Sequence, residues 1–120
     1  MKTTTRVLGE YLHTFSFGQR YSQTGDGALL HTFAGSRDGD AFAELLRRHG
    51  PMVLGLARRV VADQQIAEDV YQATFLVLAR EARILRRPES LAAWLHSVAF
   101  RLALRVRKGR ARRQQAERRR

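Results

Sequence analysis

The sequence predicts an all-α fold, a small helical bundle, and three observations carry that expectation. Apolar residues recur every three or four positions over three long segments, the spacing that lines one face of a helix. No window alternates with the period of two that a half-buried strand requires. Glycine, proline and aspartate fall between the periodic segments, where helices start and stop. At 120 residues, 44% of them hydrophobic, the chain suits one packed domain.

Residues 1–25 are mixed and polar and read as a poorly ordered extension, with a short helical piece around Val7–His13. A first short helix is expected from Gly27 through Leu29, Leu30 and Phe33 to Gly35, followed by a turn over Ser36-Arg37-Asp38-Gly39. Asp40 is then the expected N-cap of a longer helix carrying Phe42, Leu45, Leu46, His49, Val53, Leu56 and Val60 on one stripe. Gly50-Pro51 interrupts that stripe and predicts a kink or restart, because proline lacks an amide proton and crowds the preceding turn.

Asp63 is expected to cap a third helix, with Ile66, Val70, Ala73 and Val77 on its stripe and Phe75 and Leu78 widening it. Residues 80–87 lose the stripe and gain charge, and Pro88 opens the last helix. That helix buries Leu91, Trp94, Leu95, Val98, Leu102 and Val106 and keeps its apolar face to about Lys108. The residues therefore divide into an extension (1–25), a helical domain (26–108) and a basic tail or the start of a linker (109–120).

Composition narrows the function. The chain has no cysteine, which excludes disulfides and thiolate metal sites and fits a reducing cytoplasm. His13, His31, His49 and His96 lack metal-ligand spacing, so no metal or other cofactor is expected. No phosphate-binding glycine loop, nucleophile elbow or carboxylate pair with an evident base is present, and no catalysis is expected. No apolar run is long enough for a signal peptide or a membrane span, so a soluble cytoplasmic protein without membrane contact is expected.

The net charge of +11 is unevenly spread. Residues 1–40 balance, residues 41–100 net +2, and residues 101–120 net +9. Positive charge so concentrated is the footprint of a polyanion partner. Glu68, Asp69 and Gln72 share one side of the third helix at its N-terminal end, a different kind of surface suited to a basic protein partner. The two carboxylates also complement the positive end of their own helix.

Three blocks, in order, resemble region 2 of the sigma-70 family, and within it the extracytoplasmic-function sigma factors of bacterial RNA polymerase. They are Asp40-Ala41-Phe42-Ala43-Glu44-Leu45-Leu46-Arg47-Arg48-His49-Gly50-Pro51, Glu68-Asp69-Val70-Tyr71-Gln72-Ala73-Thr74-Phe75, and Ser90-Leu91-Ala92-Ala93-Trp94-Leu95 through Arg105. The resemblance spans about Asp26 to Lys108 and implies the helical bundle of that region. It implies that Asp69 and Gln72, with Glu68 beside them, contact the clamp helices of the largest subunit of core RNA polymerase. Many relatives carry an acid directly after the glutamine, where this chain has Ala73.

The resemblance further implies that the loop from Arg80 to Pro88 faces the non-template strand of the promoter −10 element and holds a flipped base. Arg83, Arg86 and Arg87 would neutralise flanking phosphates, and Arg101, Arg105 and Lys108 would follow the DNA backbone from one face of the last helix. Trp94 lies in the apolar stripe and reads as core before it reads as a stacking platform, and Phe100 is open to either role.

A complete factor of this type carries a second helical domain for the −35 element, and an anti-sigma factor is a possible further partner. The chain ends at Arg120, where the linker would begin, which leaves a fragment, a truncated gene or a stand-alone region 2 as alternatives. Two other functions fit the composition: a basic helical nucleic-acid-binding module without polymerase contact, and a decoy that binds polymerase without initiating.

Overall fold

The computed structural model describes residues 20–85 and 90–119. They form four helices: α1 (Asp26–Ser36), α2 (Gly39–Val61), α3 (Gln64–Glu81) and α4 (Leu91–Arg118). No strand occurs among the described residues. The all-α expectation therefore holds, with adjustments that each have a physical cause. The helical piece expected around Val7–His13, and Pro88, lie outside the described residues.

Helix α2 starts two residues earlier than the sequence suggests. Its cap is Asp38, not Asp40, and the Asp38 carboxylate accepts from the backbone N–H groups of Asp40 and Ala41. Tyr21 donates its hydroxyl to the same carboxylate. That bond, joined by the backbone donors and by Arg20, outweighs partial desolvation and holds Asp38 below its ordinary range. Pro51 does not restart the helix, which runs unbroken from Gly39 to Val61.

Asp63 caps α3 as expected, accepting from the Ile66 N–H at 3.0 Å. The core stripe of α3 is displaced from the expected one. Ala67, Val70, Thr74, Phe75 and Leu78 are buried, whereas Ile66, Ala73 and Val77 sit half-buried at its edge. The reason is that α3 packs against two helices, so its large residues turn into the space between them. Thr74 tolerates burial because its hydroxyl donates to the Val70 carbonyl at 2.8 Å.

The pairings fix the topology. Phe42 meets Phe75 edge-on at 6.5 Å, Tyr71 packs onto Gly50, and Ala57 and Val61 cluster with Ala67 and Val70. Helices α2 and α3 are thus antiparallel. Val77 and Glu81 lie beside Trp94 and Val98, Ala67 and Val70 cluster with Ala103, and Asp63 faces Arg110 at 3.7 Å, so α4 is antiparallel to α3. Leu29, Leu30 and Phe33 anchor α1 on the same core as Leu45, Leu91 and Leu95.

A buried charge cluster fastens α1 to α2. Glu44 is fully buried and accepts from Arg47 at 2.8 Å and 3.1 Å and from Arg48 at 2.6 Å. Arg48 also reaches Asp26 and the carbonyls of Tyr21 and Ser22, while His49 Nε2 lies 2.7 Å from Asp26. Arg48 thus joins the chain before α1, the first turn of α1 and the middle of α2.

Helix α4 continues well past the expected end near Lys108, reaching Arg118. Its first half buries Leu91, Leu95, Val98, Ala99 and Ala103, with Trp94, Leu102 and Val106 half-buried at the margin. Residues 111–119 are all exposed. Alanine, arginine and glutamine favour helix there, and continuity with the packed half supplies the nucleus that an isolated segment of this length would lack.

Candidate functional site

The acidic patch stands on α3. Ala67, Val70, Thr74, Phe75 and Leu78 turn to the core; at 100° per residue Asp69 falls farthest from them and Glu68 on the flank, both beside the buried Gln72. Both are half-buried, and neither pairs with a cation among the described residues. They lie in the second turn, beyond the first turn where the helix dipole is strongest. Dipole complementarity therefore explains less of the pair than their position in the sequence suggests. Gln72, expected beside them on the surface, is only 6% exposed.

Beside this patch, Leu46, Gly50, Pro51, Leu54, Gly55 and Tyr71 line a largely apolar groove of about 490 Å3, with Arg47 and Arg58 at its rim. Gly50 keeps the groove close to the Tyr71 ring, because a Cβ there would come within 3.3 Å of it. Tyr71, which lines the groove, lies one turn from Glu68 on α3. Burial pushes the Tyr71 hydroxyl above its ordinary range, so it stays a neutral hydrogen-bonding group.

A second feature lies where the C-terminal end of α3 meets α4. Val77, Glu81, Trp94, Val98, Arg101, Leu102 and Arg105 enclose a cavity of about 170 Å3 open to solvent. Trp94 packs against the main core, as its place in the apolar stripe suggests, and its remaining surface forms part of this wall. Arg101 and Arg105 are exposed at the mouth, and Arg101 Nε donates to the Ser97 carbonyl at 3.3 Å. Lys108 continues the row one turn on and is exposed.

The loop arginines divide. Arg83 is exposed and its Nε donates to the Ala34 carbonyl at 3.3 Å, which lays it across the end of α1. Arg86 and Arg87 lie outside the described residues. Ile84, next to Arg83, is 69% exposed, the most open of the large apolar side chains described; Phe100 is exposed on α4.

The structure thus brings together Trp94, Arg101 and Arg105, joins to them Val77, Val98 and Leu102 from the expected apolar stripes, and adds Glu81, which the sequence did not mark. The four-residue steps from Trp94 to Val98 and from Arg101 to Arg105 were readable on a helical wheel. Glu81 was not, because its place depends on how α3 docks against α4.

The sigma-70 region 2 family model matches residues 45–115, which is more than half of the chain. The chain is 40% identical over 65 residues to the RNA polymerase sigma factor CarQ of Myxococcus xanthus, an overlap covering 52% of this chain and 37% of that relative. It thus spans little more than a third of the length of that curated protein. No solved structure matches it. The match covers most of α2, all of α3 and α4 as far as residue 115, the elements that carry the patch, the cavity and the cationic row. The chain belongs to the sigma-70 region 2 family.

Proposed function

We propose that the chain acts in transcription initiation as a sigma factor region 2 of the extracytoplasmic-function type, binding core RNA polymerase through α3 and promoter −10 DNA through α4. The observation that carries this reading is the presence of two uncompensated surfaces of opposite sign on adjacent helices. Asp69 and Glu68 have no cationic partner among the described residues, and Arg101, Arg105 and Lys108 have no acidic one. Their separation on different helix faces leaves both signs available to outside partners.

On the polymerase side, Glu68 and Asp69 meet basic residues of the clamp helices of the largest subunit, and the groove at Leu54 and Tyr71 takes apolar side chains from them. Gln72 lies buried beside them and offers little surface to the partner. On the DNA side, the cavity takes one base unstacked from the non-template strand. Trp94 offers an aromatic wall, Glu81 an acceptor for an exocyclic amine, and Arg101 and Arg105 hold the flanking phosphates. Unstacking costs a few kcal/mol, which a preformed cavity offsets. Arg83 contributes from the loop, beside Ile84. Residues 26–108 are the working unit, and the chemistry of RNA synthesis belongs to the polymerase.

A basic nucleic-acid-binding module would have no use for the acidic patch, and this separates the two readings. The purified chain should co-elute with core bacterial RNA polymerase, and Glu68→Ala with Asp69→Ala should abolish co-elution while leaving the helical circular dichroism unchanged. Undiminished co-elution of the folded variant contradicts the assignment of α3.

A further inference from the structure

We propose that Arg37 and Arg83 form a reciprocal clasp between the C-terminal ends of α1 and α3, and that Arg37 is through it a positioning residue for Glu81 in the cavity at Trp94. The role of Glu81 rests on the reading of that cavity as the seat of an unstacked base; the clasp itself does not.

Each arginine follows one helix and caps the other. Arg37 lies directly after α1, and its Nη1 donates to the Ala79 carbonyl at 3.0 Å, in the last turn of α3. Arg83 lies just beyond α3, and its Nε donates to the Ala34 carbonyl at 3.3 Å, in the last turn of α1. Both acceptors belong to the final four carbonyls of a helix, where intrahelical N–H partners run out. These ends also carry the negative poles of the helix dipoles, and α1 has no basic residue in its own last turn. Arg83 therefore brings to α1 a cation that α1 lacks.

Arg37 is seated on the core and does not swing free. Its guanidinium lies 4.4 Å from the centre of the Phe33 ring, Phe33 packs on Phe42 at 4.7 Å, and Phe42 meets Phe75 of α3 at 6.5 Å. The side chain thus rests on an aromatic row that leads back into α3. Its backbone is left-handed, with φ of 55°. Glycine would adopt that conformation without strain, but it would carry no clasp.

The clasp holds the turn of α3 that carries Glu81. The principal packed pairs are α1–α2, α2–α3, α2–α4 and α3–α4, and α1–α3 is not among them. Leu78 and Ala82 anchor the inner side of the turn in the core, and the clasp fixes its backbone. Glu81 is the last residue of α3, where a helix frays first. Beyond it the chain turns, with the Ile84 N–H donating to the Glu81 carbonyl at 3.0 Å, and Arg83 crosses back to α1. Glu81 is therefore bracketed, with Ala79 tied by Arg37 on one side and Arg83 tied to Ala34 on the other. A carboxylate held in this way stays at the cavity wall beside Trp94 and Arg101. A frayed last turn would take the acceptor away.

The test uses the full chain with Arg37→Gly. This variant removes the clasping side chain and relieves the left-handed backbone, so overall stability stays near that of wild type. Amide hydrogen exchange is followed along α3. Residues 78–82 should exchange about tenfold faster in the variant, the scale of one lost hydrogen bond to a charged group, with residues 70–75 unchanged. Unchanged exchange at 78–82, or an equal gain along the whole helix, would overturn the clasp.

The second measurement is binding to an all-thymine single strand of DNA and to the same strand with one central cytosine, which has an exocyclic amine that thymine lacks. Wild type should prefer the cytosine strand by about tenfold. Arg37→Gly and Glu81→Ala should each lose that preference, and the double variant should lose no more than either. The salt slope of Arg37→Gly should match that of wild type, whereas a direct phosphate contact would make it shallower by about 0.7. A preference retained in Arg37→Gly, or a slope changed by that amount, would overturn the positioning role. A wild type without preference would contradict the base-binding reading of the cavity, while the exchange result judges the clasp separately.

Discussion

At the residue scale, Glu44 shows how a charge is kept in the interior of so small a domain. Burial alone would raise its pKa, but the hydrogen bonds and charges of Arg47 and Arg48 outweigh that effect and hold it below the ordinary glutamate value. A depressed acid contributes stability above its unfolded pKa and loses it as pH falls through the folded value. Chemical denaturation should therefore show stability declining below about pH 4.5, the ordinary value for glutamate. Glu44→Gln should cost about 2–3 kcal/mol at neutral pH, the scale of charged hydrogen bonds left incomplete, and should flatten part of that acid decline. An unchanged acid limb in the variant would remove Glu44 from the account. The glutamate was visible in the sequence as part of a family-like block, but its burial was not. Nothing in local spacing reveals that Arg48 also reaches Asp26 and the chain before α1.

At the element scale, the helix junctions were legible in outline and less so in detail. Asp63 was found because a short acceptor before an apolar period is a local signal. Asp38 was passed over for Asp40 because both precede the same apolar stripe, and the choice rests partly on Tyr21, distant in sequence. The C-terminal junctions are unusual: Arg37 and Ala62 both adopt left-handed backbone, with φ of 55° and 52°. For a non-glycine residue that conformation costs about 1–2 kcal/mol. Ala62 is exposed, so Ala62→Gly should raise stability by about 1 kcal/mol. Arg37→Gly should give little or no gain, because Arg37 donates to the Ala79 carbonyl at 3.0 Å and lies over the Phe33 ring. Thermal melts of the two variants check the contrast; a larger gain at Arg37 would contradict it. The extension of α4 past Lys108 was missed for a related reason. Its apolar stripe ends there, whereas the helix persists on propensity and on continuity with its packed half.

At the scale of the whole molecule, the antiparallel docking of α3 against both α2 and α4, which also pack on each other, creates both candidate surfaces. It turns Asp69 outward, brings Tyr71 over Gly50 to close the groove, and sets Glu81 beside Trp94 and Arg101 to form the cavity. The charges were legible one by one, since each sits in a helix whose period could be read. Their assembly into a groove and a cavity was not, because it requires knowing which helix faces which. If the two surfaces serve two partners independently, each should be separable from the other in a crossed binding measurement. Core polymerase and a single-stranded −10 oligonucleotide are each titrated with Glu68→Ala/Asp69→Ala and with Arg101→Ala/Arg105→Ala. The acidic variant should lose polymerase and keep DNA, while the arginine variant should keep polymerase and lose DNA, its single-strand salt slope shallower by about 1.4. Loss of both partners in either folded variant, or loss of neither, would contradict that independence.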